Sequence, residues 1–239
     1  MGECPTCPDL KPTQRASTET FRPVALITAL ECSTLGGLNI RQVAAQTLDE
    51  TAGFALAREL LTGRASIRDA NQKAEGRIGN PSLECDATAL EGDFPDAYAA
   101  LACLERNLME TTGGRRGFIL LAPEIIPRIN FAITGQPGRW VTFAGNRIVV
   151  DAGFDGRPPL CDPLTDCMKW DDPTGVPARG DELWMYGTAG LWAGVGDDLM
   201  VDAINRQDNT ASARSERVAL TAFSTCATFA VPSTVTKTC

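Results

Sequence analysis

Residues 138–156 read GRWVTFAGNRIVVDAGFDG. Two runs of β-branched and aromatic residues, Trp140–Phe143 and Ile148–Val150, flank Gly145-Asn146 and are closed by Gly153 and Gly156. That pattern writes a β-hairpin, with Asn146 expected to supply the positive φ of the turn. The segment carries none of the usual catalytic side chains. It prescribes architecture and turns, and the rest of the chain can be asked whether it supplies any chemistry.

Most of the common catalytic sets are missing. The 239 residues include nine cysteines and no histidine. Without histidine the commonest general base, the commonest metal ligand and the Ser-His and Cys-His dyads all drop out. The formal net charge is −8, and no Lys/Arg cluster exceeds pairs such as Arg115-Arg116. Phosphate-backbone binding depends on a basic patch and counterion release, so a specific nucleic-acid reader is not expected. No apolar run reaches the ~20 residues of a bilayer span. The N-terminus MGECPTCPDLKPTQ lacks a basic region followed by an apolar stretch, so no secretion leader is expected.

The remaining chemical candidates have plainer readings. Cys4 and Cys7 in CPTC have the spacing of half a zinc knuckle, but Cys161 and Cys167 lie too far apart for the usual second pair. Free thiols, or contacts made by an N-terminal arm, are the expectation. The odd cysteine count argues against a full disulfide framework. Cys103, Cys32 and Cys226 fall on apolar faces or at strand ends and read as small core hydrophobes. The glycines of GTAGLWAGVG lack the following helix of a phosphate-binding loop and read as turn glycines. The pairs Asp171-Asp172 and Asp197-Asp198 sit among turn residues, where Asp bends the backbone. No catalytic residue, cofactor or metal ligand is assigned.

Along the chain, residues 1–22 are polar and Pro-rich, and PVALITAL (23–30) reads as a buried strand. From Ile40 to Leu61, Ile40, Val43, Ala44, Leu48, Ala52, Ala55, Leu56 and Leu60 recur at three- and four-residue spacing. They predict an amphipathic helix of about six turns ending at Gly63. Residues 64–94 are polar and weakly patterned and read as a projecting loop. Residues 95–111 form a second helix behind Pro95, GFILL (117–121) a strand, and APEIIPRINFAI (122–133) a short helix. After a Pro/Gly/Asp loop at 155–181, DELWMYGTAGLWAGVG reads as a strand pair. ERVALTAFST and CATFAVPSTV supply two more strands. The class is α+β, with helices early and strands late.

Four stretches, in order, resemble tailed-bacteriophage capsid proteins of the Hong Kong-type capsid fold, which encapsulins share. They are ALITALEC with LDETAGFALARELLTG, GFILLAPEIIPRI, GRWVTFAGNRIVVDAGFDG with ELWMYGTAGLWAG, and the ending NTASARSERVALTAFSTCATFAV. The resemblance spans roughly residues 23–232. It implies an N-terminal arm (1–22), a peripheral-domain strand and helix (23–63) and a short projecting loop (64–94). The remainder (95–239) would hold a helix, an axial domain and strands returning to the peripheral domain. It implies a non-enzymatic shell subunit, major or minor, that self-assembles into pentamers or hexamers of an icosahedral virion capsid. Scaffold and portal proteins are implied partners, and packaged double-stranded DNA is enclosed without specific binding. No membrane is involved, and assembly is expected in the host cytoplasm. With only Lys11, Lys73, Lys169 and Lys237 present, covalent cross-linking of subunits is not assumed. The arm and projecting loop are expected to lie on neighbouring subunits, and the 138–156 hairpin near a symmetry axis. There Trp140 and Phe143 would make the ring contacts, and Arg147 and Asp155 would be exposed for pairing across subunits. The alternatives are an encapsulin-type nanocompartment, a histidine-free carboxylate hydrolase, and a binding module whose Cys-rich arm holds a metal.

Overall fold

A computed structural model describes residues 21–33, 39–63, 80–90, 92, 94–159, 182–205, 210–224 and 227–234. Residues 1–20, 64–79, 160–181, 225–226 and 235–239 are among those outside that set, and with them Cys4, Cys7, Cys161, Cys167, Cys226, Asp171, Asp172 and the four lysines.

The first strand, β1 (Val24–Ser33), leads to helix α1 (Ile40–Thr62), which starts where the Asn39 side chain accepts the Gln42 N–H and ends at Gly63. Its buried stripe is Ala44, Leu48, Ala52, Ala57, Leu60 and Leu61, whereas Val43 and Phe54 face solvent. Helix α2 (Leu83–Asp86) and the two-residue strand β2 (Thr88–Ala89) precede α3 (Ala97–Thr112). Asp96 caps α3 by accepting the Ala99 N–H at 2.8 Å. Strand β3 (Phe118–Leu121) then runs into a Pro-initiated helical stretch, Pro123–Ala132, whose α-helical part is α4 (Ile126–Ile129). Strands β4 (Ile133–Thr134), β5 (Val141–Thr142), β6 (Arg147–Val150), β7 (Glu182–Thr188), β8 (Leu191–Asn205), β9 (Thr210–Phe223) and β10 (Thr228–Thr234) follow.

The strands form two sheets. A three-stranded antiparallel sheet has the order β1-β9-β8, and a mixed seven-stranded sheet has the order β2-β10-β7-β3-β6-β5-β4. Strand β3 is buried on both sides, as its continuous apolar run requires. Ile119 and Leu121 face α3 and α4 in one cluster, with Leu101, Leu104, Leu108, Ile129 and Met185. Leu120, between them, faces the opposite cluster, with Tyr186, Phe154 and the Ala57, Leu60 and Leu61 end of α1. The other end of α1 packs Leu48 and Ala52 on Val24, Leu26 and Ala219 of the small sheet. One helix therefore bridges the two sheets.

Two readings from sequence change here. The segment 80–94, expected to belong to a projecting loop, is folded into the core over its described residues. Leu83 is fully buried, Leu90 and Phe94 join the cores, and β2 pairs in parallel with β10. Asn80 fixes its start by donating to Glu59 Oε1 (2.8 Å) and to the Arg22 carbonyl (2.9 Å). A four-residue helix and a two-residue strand are too short to show a period, which is why the stretch looked featureless. The second change concerns β7 and β8, which do not pair with each other. β7 joins β10 and β3 in the large sheet, and β8 pairs with β9 in the small one. The return from β9 to β10 crosses alongside, tied by Ala189 N–H to the Ala227 carbonyl and Ser224 N–H to the Gly190 carbonyl, both 3.0 Å. The buried Thr188 hydroxyl donates to the Ser224 carbonyl at 3.1 Å. These bonds hold the paired crossings where a simple hairpin would otherwise satisfy the strand edges.

Because Leu61 and Leu120 meet where α1 seals the large sheet, each is expected to cost about 2–5 kcal/mol as the Ala variant. Phe54→Ala, on the solvent side of the same helix, should cost no more than about 0.5 kcal/mol. Chemical denaturation of the three variants checks the contrast.

Candidate functional site

The 138–156 hairpin forms, and its turn differs from the expectation. β5 and β6 pair antiparallel with Val141 opposite Arg147. Gly145, with φ of 90°, takes the left-handed position, and its N–H bonds the Thr142 carbonyl at 2.9 Å. Asn146 instead turns inward and is buried. Its Oδ1 accepts the Gly117 N–H (2.8 Å), its Nδ2 donates to Glu105 on α3 (2.9 Å), and its own N–H meets the Thr142 hydroxyl (3.2 Å). The Thr142 hydroxyl also donates to Glu105. The turn is thus pinned to α3 and to the start of β3. The pin presents Phe143 at 74% exposure, with its N–H on the Ala132 carbonyl at 3.2 Å. Phe131, next to Ala132, is 5.1 Å from Tyr98 ring to ring, and both are exposed. Trp140 packs against the core with Ile126, Ile133 and Val150.

Of the two charges expected to reach a neighbour, only Arg147 is exposed. Asp155 lies inward, ion-paired with Arg58 of α1 (2.5 Å) and with Arg157 (2.6 Å). The hairpin's exit turn has folded back on the helix, with Gly153 so close that a Cβ would lie 2.7 Å from the Phe54 carbonyl.

The carboxylates read as turn residues at 197–198 belong instead to β8, at a bulge where the register with β9 shifts between Val195 and Asp198. Asp198 takes two hydrogen bonds from Arg217, which also holds Asp49 of α1 at 2.6 Å. Arg41, at the helix start, pairs with Asp202. Hydrogen bonding by Arg217 lowers the Asp198 pKa, and hydrogen bonding by Arg41 lowers that of Asp202. These pairs clamp α1 to the small sheet. Gly187 lies within β7, and Gly194 and Gly196 within β8, the strands following directly on one another. Cys32 is a half-buried free thiol at the end of β1. Cys103 is buried on α3 as expected, but as a disulfide-bonded cysteine and not a free thiol. Among the described residues no group of three or more Cys, Asp or Glu is placed to hold a metal ion, and no helix is long and apolar enough to cross a membrane.

The surface feature that sequence reading passed over is the small sheet's outer face. Trp192, Leu199 and Val201 of β8, Val218 and Leu220 of β9 and Ile27 of β1 are all exposed. The signal was present: LWAGVGDDLMVDAIN and VALITALECS place apolar residues at both strand parities, the mark of a strand covered on both sides.

No family model and no curated protein matches the sequence. Solved structures do match. A chain from Gordonia phage Cozz superposes with a TM-score of 0.55 at 11% identity, over 99% of this chain and 81% of that one. The capsid of an empty GTA particle gives 0.54 at 10% identity, over 98% and 82%. The SrpI encapsulin complex of Synechococcus elongatus gives 0.53 at 11% identity, over 89% and 74%. The chain has the Hong Kong-type capsid fold. The matches cover 89–99% of the chain, so the fold expected from four sequence stretches holds.

Two outcomes are expected at these sites. Asn146→Ala strips buried partners from Gly117 and Glu105 and should lose about 1–3 kcal/mol, whereas Arg147→Ala should stay within about 0.5 kcal/mol; denaturant titration reads both. The clamp carboxylates have pKa values lowered in the folded state. Their contribution is therefore present above the unfolded carboxylate value of ~3.9 and lost as pH falls through the lower folded values. Thermal midpoints measured below about pH 4 should fall less steeply for the Asp198→Asn/Asp202→Asn double variant than for the parent.

Proposed function

We propose that the protein is a structural subunit of a tailed-phage capsid, assembling into rings and an icosahedral shell around double-stranded DNA. The observation that carries this is the full-length match to the GTA capsid, in which 98% of the chain is accounted for by one capsid fold. In this reading the protein acts through contacts and performs no catalysis. Four carboxylates fit that view, since Asp49, Asp155, Asp198 and Asp202 each pair with an arginine. It resides in the virion, built in the host cytoplasm with scaffold and portal partners. The net charge of −8 suits an inner wall along which packaged DNA slides without being gripped. The domain assignment belongs to the same proposal. The hairpin with Phe143 and its aromatic neighbours sits near a five- or six-fold axis, and α1 with the small sheet forms the peripheral part. The N-terminal arm, expected over residues 1–22, reaches onto a neighbour through residues 1–20, since Phe21 and Arg22 pack on this chain against Phe223 and Asn80. An encapsulin-type compartment is the second reading, supported by the match to the SrpI encapsulin complex.

Negative-stain microscopy and light scattering of the expressed chain, alone and with scaffold and portal partners, should show rings or closed particles. Deleting residues 1–20, which spares Phe21 against Phe223 and Arg22 on Asn80, should leave the fold intact by circular dichroism and abolish particle formation. A strict monomer under every condition overturns the shell reading, and particles that enclose a host enzyme in place of DNA favour the compartment.

A further inference from the structure

The hairpin end of the large sheet gathers arginines that lie far apart in sequence. Ile119, Trp140 and Ile148 point into the core beside α3, and the residues alternating with them, Phe118, Arg139 and Arg147, take the opposite face. Phe118 stands opposite Arg147 in the β3–β6 pairing. Arg139, two residues before Val141, is the diagonal neighbour of Arg147 across the hairpin, with about 7–8 Å between such positions. Arg116 joins them, its Nε 2.9 Å from where a Cβ on Gly145 would stand. Arg115, Arg116, Arg139 and Arg147 are all exposed.

Like charges set beside one another across strands destabilise a sheet. Elsewhere Arg41, Arg58, Arg106, Arg157, Arg214 and Arg217 each hold a carboxylate. Among the described residues Arg115, Arg116, Arg139 and Arg147 hold none. Glu105 is engaged by Thr142 and Asn146, and Asp151 by the Gly153 N–H. The arrangement is also fixed. The Gly117 N–H donates to Asn146 Oδ1 (2.8 Å) and the Arg147 N–H to the Gly117 carbonyl (3.0 Å), so buried Gly117 and Asn146 hold Arg116 and Arg147 side by side.

We infer that this face binds the phosphate backbone of nucleic acid without reading its sequence. Guanidinium forks match phosphate oxygens, and a phosphodiester chain presents its charges at a regular spacing whatever the bases. Phe143, 74% exposed on the turn between the strands that lead from Arg139 and to Arg147, sets a ring beside the charges, the combination that single-strand contacts use. An acidic peptide would answer the charges and leave that ring idle. Such a contact is loosened by salt and lets the bound chain slide, so a protein of net charge −8 can carry it without gripping DNA.

The binding does not depend on shell formation, and the test uses the unassembled full-length chain. Fluorescence anisotropy is read with a labelled oligodeoxythymidine of about 20 nucleotides and with the same strand in duplex. Affinity should fall on the order of 100-fold between about 50 and 200 mM salt. Arg116→Ala/Arg139→Ala/Arg147→Ala should keep the parental circular dichroism and bind at least about ten-fold more weakly at the lower salt. Arg41→Ala/Arg106→Ala/Arg214→Ala removes the same charge from exposed arginines that already hold carboxylates, and should stay within about three-fold of the parent. Phe143→Ala should weaken the single strand more than the duplex. A parent that binds neither probe overturns the inference. An equal loss in the two triple variants, the mark of net charge alone, overturns it too. A glutamate-rich peptide that binds as tightly as the oligonucleotides assigns the face to an acidic protein segment, with the same result. Particle formation judges the shell reading, which stands whichever way the binding turns out.

Discussion

Helix α1 is the constraint on which the other parts depend. Its buried stripe changes partner part-way along. Leu48 and Ala52 sit on the small sheet, and Ala57, Leu60 and Leu61 sit on the large one. The small sheet takes its inner cover from α1, whose Leu48 and Ala52 pack on Val24, Leu26 and Ala219. The link is reinforced at both ends. Arg41–Asp202 and Asp49–Arg217–Asp198 fasten the first half of the helix to β8 and β9. Gly153 and Asp155 bring the hairpin exit against the second half. The exposed ion pairs fix position more than they add stability; the apolar stripe supplies most of the energy.

The paired crossings between sheets solve a related problem. A chain that leaves one sheet for another exposes backbone groups at the break, and buried groups of that kind must find partners. β7 to β8 and β9 to β10 make the break side by side, so each supplies partners to the other through Ala189, Gly190, Ser224 and Ala227. Buried Thr188 and Thr228 complete the set, each donating to the Ser224 carbonyl. Swinging of one sheet against the other would have to break these bonds together with the α1 contacts. The chain is therefore built to keep its two sheets in a set relation, which suits the proposed shell subunit.

Sequence reading reached the elements whose signals are local and long. The 23 residues of α1, the Asp96-capped α3, the run FILL and the Pro-initiated helix were legible because period, caps and proline positions are properties of adjacent residues. It failed where the decision is tertiary. Whether ELWMYGT and LWAGVG pair with each other or part into two sheets turns on Ser224 and Ala227, more than thirty residues on. Asn146 looked like the turn residue because Asn tolerates positive φ, but Glu105 and Gly117 draw its amide inward and leave Gly145 to make the turn. Asp155 looked exposed because it lies between glycines, and Arg58 and Arg157 hold it inside.

Charge and apolar surface are divided in a way that bears on assembly. On the inner side of the small sheet, Arg217 pairs with Asp198 and with Asp49 of α1, so these charges are consumed within the chain. The outer face keeps Trp192, Leu199, Val201, Val218 and Leu220, with its one Arg–Glu pair closed on itself. Apolar residues lie under the helix as well, where Leu48 and Ala52 pack on Val24, Leu26 and Ala219, so the outer face carries apolar surface beyond what the inner packing uses. The hairpin repeats the choice, where Phe143 stands exposed on a turn that an Asn–Glu–Thr network holds in place, with exposed Phe131 and Tyr98 on the neighbouring helical segments. Pre-organising an exposed aromatic costs a monomer buried polar groups and gains it nothing. In an assembly it lowers the ordering cost that each contact must overcome, and that saving recurs with every subunit added.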